Sequence, residues 1–311
     1  KMDFLGLTNL TILSQAKKLV EDRRSIVVDI GNIPLEDQMT FDLLASGETT
    51  GVFQLEGSGM RRYIQRLMPT SLADISAMIA LYRPGPMEHI DTYIDAKHGK
   101  TPPKYPHPTL RNILEETHGV IVYQDQVLLI AQAFAGYSLG EADIVRKAMG
   151  KKIPEVMRQE KQKFLSGALA QGFSGDLAEE VFQLIEPFAG YAFNKAHSIS
   201  YAMIAYLTAY FKANYTEEYL TALMNAHTGQ GEKIGVDVTE CLRLKIPVLL
   251  PDINRSGIDF TIDLNEEGRP SVRFGLASIK NIGAAALKPL ISERDKNGIY
   301  TSIEDLCRRT D

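Results

Sequence analysis

Apolar residues at helical spacing run through most of this chain. Residues 2–7 read as a short strand ending, followed by an amphipathic helix through Leu10, Ile12, Leu13, Ala16, Leu19 and Val20. Between Ile33 and Leu55 the pattern breaks into short elements at Pro34, Gly47 and Gly51. Helical periodicity returns over residues 60–67 and 71–82, with Ser71 placed to cap the second helix and Asp74 at the capping-box position. Arg83-Pro84-Gly85-Pro86 stops that helix, because a proline disfavours the α conformation in the residue before it. Residues 99–108 carry four prolines and read as an exposed loop. Helices are then predicted over 108–116, 124–135, 139–149, 154–171, 175–188, 198–214 and 217–226.

Near residue 245 the pattern changes. Short β-like runs at 246–250, 259–264 and 270–274 are separated by Pro251, Gly257 and Gly268, and the turn Ile279-Lys280-Asn281-Ile282-Gly283 opens a helix over 284–294. The expected fold is therefore mainly α. A helical body over 26–245 follows a strand–helix segment at 1–25 and precedes a small α+β region, 246–311, holding a helix-hairpin-helix-like turn.

Composition narrows the class. A chain of 311 residues that is 44% hydrophobic and 23% charged has ample material for a buried core. Cys241 and Cys307 lie far apart, which gives neither a disulfide framework nor a thiolate metal site and suits a reducing cytosol. No apolar run reaches the ~20 residues that span a bilayer, and no signal peptide is visible, so no membrane partner is expected. His89, His98, His107, His118 and His227 show no metal-ligand spacing. The chain opens on Lys1, without an initiator methionine, and closes on Asp311 just after a helical pattern; it reads as part of something longer.

Against a net charge of −5, the run Arg146-Lys147-Ala148-Met149-Gly150-Lys151-Lys152 places four cations in seven residues. About 40 residues later, Phe193-Asn194-Lys195-Ala196-His197-Ser198 offers an amide, an ammonium, an imidazole and a hydroxyl within five residues. A polyphosphate needs such groups: Arg for forked contacts, Lys as a point charge, Asn and Ser as neutral hydrogen-bonding groups. On a helix, Asp143, Arg146 and Lys147 share one face, while Gly150 ends the helix. A helix N-terminus at or near His197-Ser198 would aim backbone amides at an anion, with Ser198 as cap. The alternative for the basic run is a solvated surface; for the aromatics Tyr191 and Phe193 it is core packing, and for His197 a capping role.

Asp3 stands in the apolar run Met2-Asp3-Phe4-Leu5-Gly6-Leu7, where a carboxylate is costly unless paired or metal-bound; an exposed position on an edge strand is the other reading. At the hairpin, Lys280, Asn281 and Gly283 could direct amides at a DNA phosphate. Asn281 stands where glycine is usual, but asparagine tolerates the left-handed conformation.

These segments, in this order, resemble the C-family bacterial replicative DNA polymerases, the polymerase III alpha subunits, across essentially the whole chain. Residues 1–7 look like the last palm strand. Residues 48–56 and Tyr82-Arg83-Pro84-Gly85-Pro86 look like the early fingers, and Tyr123-Gln124-Asp125-Gln126 with the two cationic segments like the helical core; Pro251-Asp252-Ile253-Asn254 is similar to the family's segment after that core. The resemblance implies that Asp3 is the third metal-binding carboxylate of a site holding two Mg²⁺ ions, the other two lying upstream of Lys1. It implies that Arg146, Lys147 and Lys151 hold an incoming deoxynucleoside triphosphate, with Asn194, Lys195, His197 and Ser198 lining the same pocket and Lys1 nearby. Lys147 stands where the family often has a second arginine, so its contact loses the fork. Primer–template DNA and other replicase subunits, including a sliding clamp met through regions mostly outside this chain, are the implied partners, and the cytoplasm the implied location. The chain alone, with one of three carboxylates, is expected not to extend primers. Two other classes remain: a non-catalytic nucleic-acid-binding module built on the hairpin, and a helical scaffold whose basic run is only surface.

Overall fold

The computed structural model describes residues 6–150, 154–186, 188 and 192–310, with the backbone alone for residues 145–150, 154 and 156. The first helices are α1 (Thr8–Arg24), α2 (Gln38–Ser46), α3 (Ser58–Leu67), α4 (Leu72–Leu81), α5 (Ile90–Lys97) and α6 (Pro108–Leu114). After them come α7 (Gln124–Ala135), α8 (Leu139–Gly150), α9 (Pro154–Ala170), α10 (Gly175–Ile185), α11 (Lys195–Asn214), α12 (Thr216–Ala226) and α13 (Gly231–Arg243). Strands β1 (Val248–Leu249), β2 (Thr261–Leu264) and β3 (Pro270–Arg273) precede α14 (Ala284–Asn297) and α15 (Ile303–Arg309). The mainly helical class read from the pattern is the class observed, with a small sheet where the three β-like runs stand.

Contacts divide the chain into two compact units: residues 1–43, 48–56 and 207–311 form one, residues 44–47 and 57–206 the other. In the second, α7 packs on α8 and α9, and α9 on α10. Phe134, Phe164 and Phe182 are fully buried at the centre of that core. The approach of α9 to the end of α7 is close: a Cβ on Gly167 would lie 2.3 Å from the Ala135 carbonyl oxygen, so only glycine fits. At the start of α4, Ser71 accepts from the Asp74 amide at 3.2 Å, as a cap should. Asp74 does not complete the capping box. Its buried carboxylate accepts instead from the Thr70 amide (2.9 Å) and the Lys97 ammonium (2.6 Å). Burial alone would raise its pKa, but those donors hold it below the ordinary carboxylate range.

In the first unit α1 packs along α12. The fully buried Glu218 accepts from Arg23 (2.6 Å) and, in a forked pair, from Arg24 (2.8 and 2.9 Å). The sheet runs β1-β3-β2, with β1 parallel to β3 (Val248 opposite Val272) and β2 antiparallel to it (Ile262 opposite Val272). β1 is shorter than the 246–250 run because Pro247 and Pro251, which lack an N–H, bracket it. Among the described residues no helix is long and apolar enough to cross a membrane.

Candidate functional site

The second cationic segment is positioned by a short bridge to the start of α7. The Phe193 amide donates to the Val122 carbonyl (3.0 Å), and the Gln124 amide donates to the Phe193 carbonyl (2.8 Å). Buried Gln126 secures the other side: its Oε1 accepts from the amides of Val122 (2.8 Å) and Tyr123 (3.0 Å), and its Nε2 donates to Thr117 Oγ1 (2.7 Å). Tyr123 is buried, with its hydroxyl 2.9 Å from Ser76 Oγ, and burial pushes its pKa up to about 12. That hydroxyl is a structural group, not a proton acceptor at neutral pH. Within the motif Tyr123-Gln124-Asp125-Gln126, Tyr123 and Gln126 thus work as scaffolding.

On that scaffold α11 begins at Lys195, three residues earlier than the sequence pattern suggests. Asn194 is the cap, its Oδ1 accepting from the His197 amide at 2.9 Å. Ser198, expected to cap or to meet a ligand, is not the cap. It is fully buried, and its hydroxyl donates to the Ser76 carbonyl at 2.7 Å, pinning α11 to α4. Exposed His197 lies between Phe193 (ring centroids 5.4 Å apart) and Tyr201 (4.3 Å). Lys195 sits 5.6 Å from the Tyr123 ring centroid and is paired with Glu116.

Arg83, read from sequence as part of a helix stop and of a segment resembling the early fingers but given no site role, joins the same cluster. Its guanidinium stacks 4.4 Å from the Phe193 ring centroid while its Nε donates to the Ala80 carbonyl (2.8 Å), and burial draws its pKa down. Asn194, Lys195 and His197 are therefore brought together, with Arg83, Phe193 and Tyr201, at the N-terminus of a 20-residue helix. The partial positive charge and outward amides of such a terminus suit an anion. Arg146 and Lys147 fall on α8, where only the backbone is described; Lys1, Asp3 and Lys151 lie outside the described residues. Among the described residues no three His, Cys, Asp or Glu side chains converge to hold a metal ion.

The hairpin lies in the other unit. A turn of 3₁₀ helix, Leu276–Ser278, leads into it and α14 leaves it. Asn281 takes the left-handed conformation (φ 70°), as its residue type allows. Gly283 has φ −87° and a Cβ there would meet nothing within 4 Å. Internal packing therefore does not require glycine at 283; its bareness leaves the first amides of α14 open to approach. Lys280, Asn281 and Gly283 are all exposed and, with Gly229, Gly231 and Ile234, line a cavity of 610 Å³.

Two other segments singled out by sequence are internal fastenings. In residues 48–56, Thr49 Oγ1 donates to the Leu55 carbonyl (2.7 Å), and the Tyr219 hydroxyl donates to the Gly51 carbonyl (2.7 Å). In Pro251-Asp252-Ile253-Asn254, Asn254 clamps the Tyr300 backbone through two bonds of 2.8 and 2.7 Å, while Arg294 holds the Ile253 and Ser256 carbonyls.

A helix-hairpin-helix motif family matches residues 245–311, which makes this a helical protein carrying that element. Residues 9–172 match the bacterial DNA polymerase III alpha subunit finger domain, and the chain belongs to that family. Similar proteins are the DNA polymerase III subunit alpha of Saccharopolyspora erythraea (47% identical, covering 100% of this chain and 26% of that protein), of Thermus aquaticus (45%; 99% and 25%) and of Escherichia coli (43%; 100% and 27%). The chain spans about a quarter of the length of these relatives.

Proposed function

We propose that this chain is the part of a cytoplasmic, template-directed DNA polymerase that delivers the incoming deoxynucleoside triphosphate to the primer end. In this reading residues 1–25 close the palm, 26–245 form the fingers and 246–311 their small α+β end. The observation that carries it is the cluster of Asn194, Lys195, His197 and Arg83 around the start of α11, in a chain of the finger-domain family. The N-terminal amides and Lys195 take phosphate oxygens, joined by Arg146, Lys147, Lys151 and Lys1, while Phe193, His197 and Tyr201 offer flat surfaces to the nucleoside. These groups hold and neutralise the triphosphate as the primer 3′-hydroxyl attacks its α-phosphorus and pyrophosphate leaves. Ser198 is left out of the contact set because its hydroxyl already serves Ser76. Two Mg²⁺ ions, with Asp3 among their ligands, belong to the reading and would lower the charge repulsion between triphosphate and attacking oxygen. The described residues do not by themselves make that metal site. A sliding clamp and other replicase subunits would be met through parts of the protein beyond these residues.

Steady-state primer extension by the full-length protein tests the site. Lys195→Ala removes a charge-assisted contact of roughly 1.5–3 kcal/mol. The half-saturating triphosphate concentration is expected to rise by about one to two orders of magnitude. An unchanged value would remove Lys195 from the site.

The hairpin is tested separately by duplex binding. If Lys280 meets a phosphate, Lys280→Ala weakens binding alike on all sequences and lowers the salt slope by about 1. Duplex binding that is lost in this variant while triphosphate dependence never appears in the wild type would favour the non-catalytic module.

A further inference from the structure

Lys195 does not face solvent alone. Its Nζ is held by Glu116 Oε2, and the pair lies partly open, with side chains 32% and 45% exposed. Glu116 is carried by a hydrogen-bonded turn. Glu116 sits in the 3₁₀ turn Glu115–Thr117, and buried Thr117 both donates to the Leu114 carbonyl (3.3 Å) and accepts from Gln126 Nε2 (2.7 Å). The same Gln126 side chain holds the Tyr123 amide through Oε1, and with it the ring over which Lys195 lies. One buried amide therefore holds both the turn that carries Glu116 and the backbone that carries the ring beside this lysine. His118 (φ 52°) and Gly119 (φ 85°) then turn the chain away in left-handed conformations.

We propose that Glu116 is a built-in counter-ion that competes with a polyphosphate for Lys195 and recaptures the lysine when the anion leaves. This rests on the reading of the α11 N-terminus as a triphosphate site. An ammonium has three donors, but a second anion close to Glu116 brings like charges together, so phosphate and carboxylate each weaken the other's hold on Lys195. A partly exposed ion pair is weak enough for a multiply charged ligand to displace, and a tethered carboxylate returns at high effective concentration. Glu116 thereby loosens triphosphate and pyrophosphate alike, and a polymerase must release the second after every addition.

The test is a double-mutant cycle, read by titrating the full-length protein with inorganic tripolyphosphate and with pyrophosphate. Glu116→Gln keeps the size of the side chain and removes its charge. It is expected to tighten both ligands about two- to five-fold, the range a surface ion pair commands, through slower dissociation. In a Lys195→Ala background the same change is expected to have no effect. Glu115→Gln, next door and paired with Arg111 instead, is the control for general charge removal and is expected to change nothing. If Lys195→Ala weakens both ligands but Glu116→Gln does not tighten them, the counter-ion role falls and the triphosphate site stands. If Glu116→Gln tightens binding equally with and without Lys195, the effect is diffuse charge and the inference is overturned. If Lys195→Ala changes neither ligand, the site reading and the inference fall together.

Discussion

Lys212→Met is expected to lower the unfolding free energy by about 3–5 kcal/mol, the cost of removing one partner of a buried ion pair. Lys212, on α11, is only 1% exposed, and each of its three donors has an acceptor: the Glu48 carbonyl (2.7 Å), the Thr50 carbonyl (2.8 Å) and Glu240 Oε1 (2.6 Å). Arg243 extends the network, forking onto Glu240 (2.8 and 2.9 Å) and reaching Glu48 Oε1 (2.6 Å). Burial draws the Lys212 pKa below its ordinary value even with Glu240 beside it, while Arg243 and Lys212 hold the Glu240 carboxyl below its own ordinary range despite its burial. Breaking the pair takes a donor from each of the Glu48 and Thr50 carbonyls and leaves the Glu240 carboxylate without its lysine partner. Methionine keeps the apolar stem and isolates the loss of the ammonium. Lys212→Arg is expected to be no rescue, because a planar fork cannot meet three converging acceptors. The measurement is urea unfolding of the full-length protein. A change below about 1 kcal/mol would mean that water reaches this network.

The same network shows what the sequence could and could not reveal. Most helices announced themselves by apolar spacing, and the caps at Ser71 and the left-handed Asn281 followed from residue type. Helix α13 did not, because its buried face carries Asp237 and Glu240 beside Cys241. Carboxylates at core positions break an apolar period, and they are held there by His227 and Lys212, 10 and 28 residues away, with Arg243 also forking onto Glu240. Helix α5 was hidden for the same kind of reason, its last residue Lys97 being drawn in by buried Asp74. At the site, the residue types of 193–198 were legible but their roles were not. A serine before an apolar run signals a cap, and nothing local says that Asn194 takes that place while Ser198 is drawn to a carbonyl 122 residues away. Arg83 was equally hidden, since its stacking on Phe193 joins segments that only the fold brings together.

Asp3→Asn is expected to reduce primer extension by the full-length protein by about three orders of magnitude while leaving primer–template affinity within about two-fold. The size reflects the several kcal/mol that a correctly held metal ion contributes to phosphoryl transfer, at a factor of ten for each 1.36 kcal/mol. Asparagine has nearly the shape of aspartate, so the substitution removes the negative charge with little change in side-chain size. Duplex binding should survive because the proposed phosphate contact at Lys280 to Gly283 belongs to a distant stretch of chain. Arg146→Ala makes the contrast: it should chiefly raise the triphosphate concentration required, because a phosphate-holding cation affects binding more than the attack itself. The competing account of Asp3, an exposed residue on an edge strand, expects a surface substitution to change stability by no more than about 0.5 kcal/mol and the rate not at all. Extension rates therefore separate the two accounts by a factor of about a thousand. If Asp3→Asn extends primers like the wild type, Asp3 is not the third carboxylate; if extension and duplex binding are lost together, the substitution has disturbed the fold.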